Sequence, residues 1–281
     1  MPFHHKLAAL TAAIILSGLI PLPALGVPAK QDQRSLTPIQ LEIEKQRQRL
    51  SSADVEERRD ALVQLRALRH PQASRVAKDS LGDASPIVRA TAAGSVLWLP
   101  ADEAAGSLVP LLADKDEFVR QQTAYALGET RSRVGVTSLI ERLSDKKDSV
   151  RGAAAVALGQ IADVAAIAPL TSLLTPSATA PQSKKNKKAK LERNPFVLRA
   201  AAHSLGQIAD RAALPALFAV LQDETAEDDV RREAAWALGN ISDPSAIPIL
   251  KTAVTARDPY LGEIAGRAIN KILKAQTSSN K

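Results

Sequence analysis

Imidazole, the side chain most often used for proton transfer near neutral pH, occurs four times in this 281-residue chain, at positions 4, 5, 70 and 203. Their spacing supports no acid–base or metal chemistry. His4 and His5 belong to a targeting segment, His70-Pro71 reads as a turn, and His203 reads as an exposed helix position far from it. Cysteine is absent, which excludes disulfides, thiolate metal sites and thiol nucleophiles. Neither a Gly-x-Ser-x-Gly elbow nor a phosphate-binding glycine loop is present. The expectation is a chain with no catalytic residue, no metal and no cofactor, whose chemistry is that of recognition.

Four groups of residues are candidates for that recognition. Lys184, Lys185, Lys187, Lys188, Lys190 and Arg193 oppose a single acid, Glu192, so this stretch carries most of the formal net charge of +7. The rest of the chain is close to neutral, which disfavours nucleic acid as a partner and leaves an anionic surface as the ligand class for the lysines. Asp223, Glu224, Glu227, Asp228 and Asp229 form an acidic run nearby in sequence. The two loops are expected about 10 Å apart, near one Debye length, if they follow successive helix pairs. Arg58, Arg89, Arg120, Arg151 and Arg231 recur at one repeat position and are expected to pair with acids such as Asp83, Asp114 and Asp145. Leu198 and Gly262 take that position in the two remaining units, so the column should break there. Finally Tyr125, His203 and Trp236 share a register position, with Arg199, Arg232 and Arg267 beside them. Trp and Arg are the usual anchors of protein interfaces, which makes these six the candidate binding residues for a protein partner.

The elements that carry these residues follow from a repeat. Val119-Arg120 through Leu127-Gly128 recurs as Val150-Arg151 through Leu158-Gly159 and as Val230-Arg231 through Leu238-Gly239. With weaker copies, the starts fall at 57, 88, 119, 150, 197, 230 and 261. Four of the six spacings are 31; the others, 47 and 33, are 31 plus insertions of 16 and 2. Valine, alanine and leucine four residues apart make one apolar helix stripe. Ser85-Pro86, Asn194-Pro195 and Asp258-Pro259 read as N-caps followed by proline, Asp116 as a cap without it, and the glycines as left-handed C-caps. A second helix begins at Asp163, Asp210 and Asp243. Its outward positions, such as Ala168, Pro169, Ser172, Pro215, Ala216 and Ala219, are small and uncharged. Aromatic residues are only 3% of the chain, which suits close-packed helices and not a sheet.

The consensus V-R-x-x-A-A-x-A-L-G-x-I-x-D-x-x-A-I-P-x-L resembles the short HEAT-like repeat of the phycobilin-lyase type over about residues 57 to 270. The resemblance implies an all-α fold, an α-α superhelix of about six two-helix repeats with terminal capping helices. It implies a non-catalytic scaffold or adaptor, with a bilin lyase-like or chaperone-like subunit acting with a partner as the alternative. No His-Glu pair is present for the metal site of the HEAT-repeat hydroxylases.

Residues 1–26 read as a signal peptide: Lys6, an uncharged apolar run from Leu7 to Ile20, then Pro21, Pro23 and small residues at Ala24 and Gly26. This places the protein in the periplasm or outside the cell, with no transmembrane helix after cleavage. An uncleaved N-terminal anchor is the alternative. Residues 27–52 form a linker and a capping helix opened by Thr37-Pro38-Ile39-Gln40. The solenoid spans 53–275, with 178–193 as its basic inserted loop, and 276–281 is a polar tail.

Overall fold

The computed structural model describes residues 36–175 and 192–279. Helix α1 (Pro38–Arg49) covers the first repeat with Ile43 and Gln46 buried beneath it. Two rows of helices follow. The first row is α2 (Val55–Ala67), α4 (Pro86–Ser95), α6 (Glu117–Thr130), α8 (Asp148–Ile161), α10 (Pro195–Ile208), α12 (Asp228–Ile241) and α14 (Pro259–Ser279). The second row is α3 (Pro71–Lys78), α5 (Ala101–Leu108), α7 (Val136–Arg142), α9 (Ile167–Leu174), α11 (Leu214–Gln222) and α13 (Ile247–Val254). Among the described residues no strand occurs, and the architecture is the expected all-α solenoid.

Leucines from both rows fill the space between them. Leu127, Leu158, Leu205 and Leu238 from the first row, and Leu139, Leu170, Leu217 and Leu250 from the second, are wholly buried in one continuous core. Asp163, Asp210 and Asp243 accept a backbone N–H from the residue two further on, each starting a 3-10 turn that leads into the second helix. Asp116, Asn194 and Asp258 cap α6, α10 and α14 as their sequence predicts. Ser85 makes no side-chain cap; its own N–H is instead taken by Asp83. Ala216, expected on the outer surface of α11, is buried.

The glycines do not end their helices. Helices α6, α8, α10 and α12 each run two residues past Gly128, Gly159, Gly206 and Gly239 without a break. The left-handed C-caps are Arg131, Ala162, Ala209 and Ser242, with φ near +55°. What the glycines supply is proximity. A Cβ on Gly206 would lie 2.7 Å from the Cα of Ala237, and one on Gly128 would lie 2.8 Å from the Cα of Ala157. First-row helices therefore touch backbone to backbone, with glycine on one and alanine or serine on the next.

Two substitutions separate proximity from capping. Gly206→Ala gains helix propensity worth about 1 kcal/mol, but it forces backbone apart and is expected to lower stability by a net 1–3 kcal/mol or so. Ala209→Gly relieves a left-handed alanine and is expected to raise stability by about 1 kcal/mol. Thermal and denaturant unfolding of the pair would show the opposite order if Gly206 were the cap.

Candidate functional site

Counting from the repeat start in each first helix, a buried valine in five of the seven, positions −1, +2, +6 and +10 fall within one 80° sector of the helix. That sector faces away from the second row and forms the outer face of the first helices. Six of the chain's eight aromatic residues lie there: Trp98, Phe118, Tyr125, Phe196, Trp236 and Tyr260.

The best-ordered group on this face spans α10 and α12. The His203 ring stacks on Trp236 with centroids 4.3 Å apart and planes 2° from parallel, and Glu233 Oε2 lies 2.9 Å from His203 Nδ1. The Trp236 ring also lies over Gly206, where a side chain would meet its edge. A pocket of about 270 Å³ opens beside the indole between Asn240, Ile264, Arg267 and Lys271. Arg267 is held by Glu263 of its own helix, and Lys271 reaches Asn240. His203 is thus half-buried and stacked, not a free exposed position. Tyr125 stands two helices away on α6, half-buried against the core, with Val156 at the same register on α8 between them. Arg199 is exposed on α10.

A second hollow, of about 530 Å³, lies at the other end of the face, lined by Val63, Arg66, Arg69, Leu97, Trp98 and Glu129. Trp98 is 42% exposed, with the Arg69 guanidinium 6.0 Å from its ring centre. It is turned outward because α4 stops at Ser95. The buried Ser74 hydroxyl of α3 donates to the Ser95 carbonyl and accepts the Trp98 N–H. Trp98 falls outside the Tyr125–His203–Trp236 column, so matching that column alone misses it. Placing every aromatic residue on the repeat register finds it at +10, and Phe118, Phe196 and Tyr260 at −1.

The arginine column behaves differently from the outer face. Arg58, Arg89 and Arg120 each use Nε and Nη2 to clamp Asp83, Asp114 and Asp145, 25 residues on, at 2.7 to 3.0 Å. Their Nη1 groups turn back to carbonyls of the preceding loop, so the guanidinium of each ties two loops together. Arg151 does the same with Glu192 across the insertion, so the column does not break there. It breaks at α10, where Leu198 has no guanidinium to offer Asp223. Arg231, expected in the column, makes no such clamp. Arg232, expected at an interface, takes Asp258 at 2.6 and 2.9 Å and lies over the Tyr260 ring. The reason is register: the residue 25 beyond Arg231 is Ala256, and the nearest acid is shifted to Asp258. Arg193 is exposed at the edge of the described residues. Lys184, Lys185, Lys187, Lys188 and Lys190 lie outside them, and with them the expected approach of the basic and acidic loops. Among the described residues no cluster of His, Asp or Glu is placed to hold a metal ion.

The family model for HEAT repeats matches residues 43–128, 107–180 and 188–271. The chain belongs to the HEAT-repeat family. Among solved structures, an engineered protein aligns with 22% identity over 82% of this chain and 68% of its own, with a TM-score of 0.53. The complex of CpcE and CpcF of phycocyanin lyase from Nostoc sp. aligns with 20% identity over 93% of this chain and 99% of that one, TM-score 0.50. Both likenesses are of fold. No protein of curated function matches the chain.

The clamps favour the ionised form of their carboxylates. The Arg58 hydrogen bond holds Asp83 below the ordinary carboxylate range, and the Arg89 hydrogen bond does so for Asp114. At Asp145 burial pushes upward, yet the bonds from Arg120 and the Lys147 N–H together outweigh it. A lowered folded-state value means stability present above the unfolded value near 3.8 and lost as pH falls through the folded one. Asp114→Asn is expected to lower stability at pH 7 by about 3 kcal/mol, the lower end for breaking a buried pair, since Arg89 keeps its two carbonyls. The gap from the parent chain should close below about pH 4 as Asp114 itself is protonated. Unfolding measured from pH 7 down to 2 checks both the size and the direction.

Proposed function

We propose that this chain is an exported, non-catalytic scaffold that holds a protein partner on the outer face of its first helices, with Trp236 as the anchor. The observation that carries this reading is the distribution of aromatic residues. A fold built on alanine and leucine requires none of them on that face, yet six of eight are there, two of them tryptophans beside open hollows. Stacking on His203 fixes the Trp236 ring before any partner arrives, which lowers the entropic cost of docking. Exposed glutamines and arginines between the aromatics provide the polar rim of an ordinary protein interface.

Two further features belong to this reading. The lysine-rich insertion supplies a tether for an anionic surface, on the strength of its charge alone. Export rests on the apolar run and small-residue site before residue 27. Among the described residues no helix is long and apolar enough to cross a membrane.

Capture of a partner by the chain from Val27 should survive high salt and deletion of residues 178–190. Trp236→Ser should weaken it by about 2 kcal/mol or more, roughly thirtyfold in Kd, and lower the melting temperature because the indole also packs against the core. Trp98→Ser should weaken capture less and leave the melting temperature little changed. If capture needs 178–190 and vanishes with salt, the lysines carry the function and the helical face does not. A tetrapyrrole co-purifying with the chain would transfer the reading to the lyase-like alternative. Mass spectrometry of the protein recovered from a periplasmic fraction should give Val27 as its first residue; an intact Met1 in the membrane fraction would support the anchor.

A further inference from the structure

At α12 the loop clamp passes from Arg231 to its neighbour Arg232, and a groove of about 960 Å³ opens beside the arginine left over. One wall is the loop between α11 and α12, with Leu221, Glu224, Asp228 and Arg231; the other runs from Thr252 to Pro259 at the α13–α14 junction. These are the two loops that Arg231 would join if Ala256 were an acid. Instead its Nε and Nη2, the two atoms that clamp carboxylates in α2, α4, α6 and α8, share the Leu221 carbonyl at 3.4 Å, the long limit of a hydrogen bond. Among the described residues no carboxylate is hydrogen-bonded to it, and Asp223 feels its charge without direct contact. Arg232 and Asp258, which flank the gap, are committed to each other and to the start of α14.

The geometry points to this groove as a binding site for a carboxylate carried by a protein segment, an aspartate or glutamate of the partner completing the missing clamp through Arg231. The acids Glu224 and Asp228 on the same wall select what surrounds that carboxylate. Arg257 on the opposite wall adds a second base, so the groove is of mixed charge and suits a segment that carries an acid followed by a base. That is also the pattern of three of the four loops clamped from α2, α4, α6 and α8, Asp114-Lys115, Asp145-Lys146-Lys147 and Glu192-Arg193, with Asp83-Ala84 the exception. Arg–carboxylate pairs gain from bidentate geometry, which a lysine does not reproduce. The site lies at the loop edge, independent of the aromatic face.

The probe is a fluorescein-labelled peptide copying residues 142–149, Arg-Leu-Ser-Asp-Lys-Lys-Asp-Ser, titrated with the chain from Val27 and followed by anisotropy. Binding is expected, weakened at least tenfold by Arg231→Gln in the protein or by the Asp145→Asn change in the peptide, with Arg231→Lys also weaker than the parent. Ala256→Asp supplies the carboxylate internally, so it should raise the melting temperature and weaken peptide binding at least tenfold. This variant guards against misreading an unfolded Arg231→Gln chain. No binding to the parent chain, equal binding by folded Arg231→Gln, or an Ala256→Asp chain that is destabilised or binds as before would each overturn the proposal.

Discussion

Backbone-to-backbone contact between first-row helices sets the terms for everything else in the molecule. With a side chain at Gly128, Gly206 or Gly239 the next helix would have to move away, because the atoms in the way are the Cα and Cβ of Ala157, Ala237 and Ala268. Close contact forces small residues at the seam and spends the alanine content of the chain there. It also brings the outer faces of neighbouring helices close enough for side chains on different repeats to meet. His203 and Trp236, 33 residues apart, stack only because α10 and α12 lie this near. Phe196 reaches across the insertion to lie against Gly152 for the same reason.

The arginine clamps do for the loops what the glycines do for the helices. Each joins consecutive inter-repeat turns through a carboxylate that also accepts the N–H two residues on, so one acid shapes its own turn and fixes the neighbouring repeat. Such a device is cooperative along the solenoid: a repeat whose clamp is missing is held by its core alone. Leu198 removes the clamp at α10, whereas Ala256 moves the one at α12 from Arg231 to Arg232, which takes Asp258 instead. The groove at Arg231 is the visible result of that change of register.

The repeat, its 31-residue period, most of its caps and the first three clamps were legible in the sequence, because each depends on residues at fixed separations within one or two repeats. The glycines were misread, since a glycine near a helix end suits both a left-handed cap and a close contact, and only the neighbouring backbone decides between them. Arg231 and Arg232 exchanged roles for a similarly non-local reason: an acid displaced by two residues at position 258 selects which of two adjacent arginines can reach it. Trp98 escaped notice because its helix stops early through a hydroxyl bridge from Ser74, a contact that no pattern within α4 announces.

A core of leucine and alanine is indifferent to what lies on the far side of its helices, so the residues on that side are free to vary without affecting the fold. Position +6 is valine, glycine, tyrosine, valine, histidine, tryptophan and arginine in successive repeats, whereas position +8 is leucine or a close substitute almost throughout. Variation of that kind is what a solenoid offers to recognition: one conserved geometry presenting a row of independent positions. Aromatic residues recur along the row, just past the end of α4 and on α6, α10, α12 and α14, with Val156 of α8 between the two groups, which suits a partner that lies along several repeats. The physical case for the scaffold therefore rests on where the chain has placed aromatic side chains, on a face that the leucine and alanine core leaves open to choice.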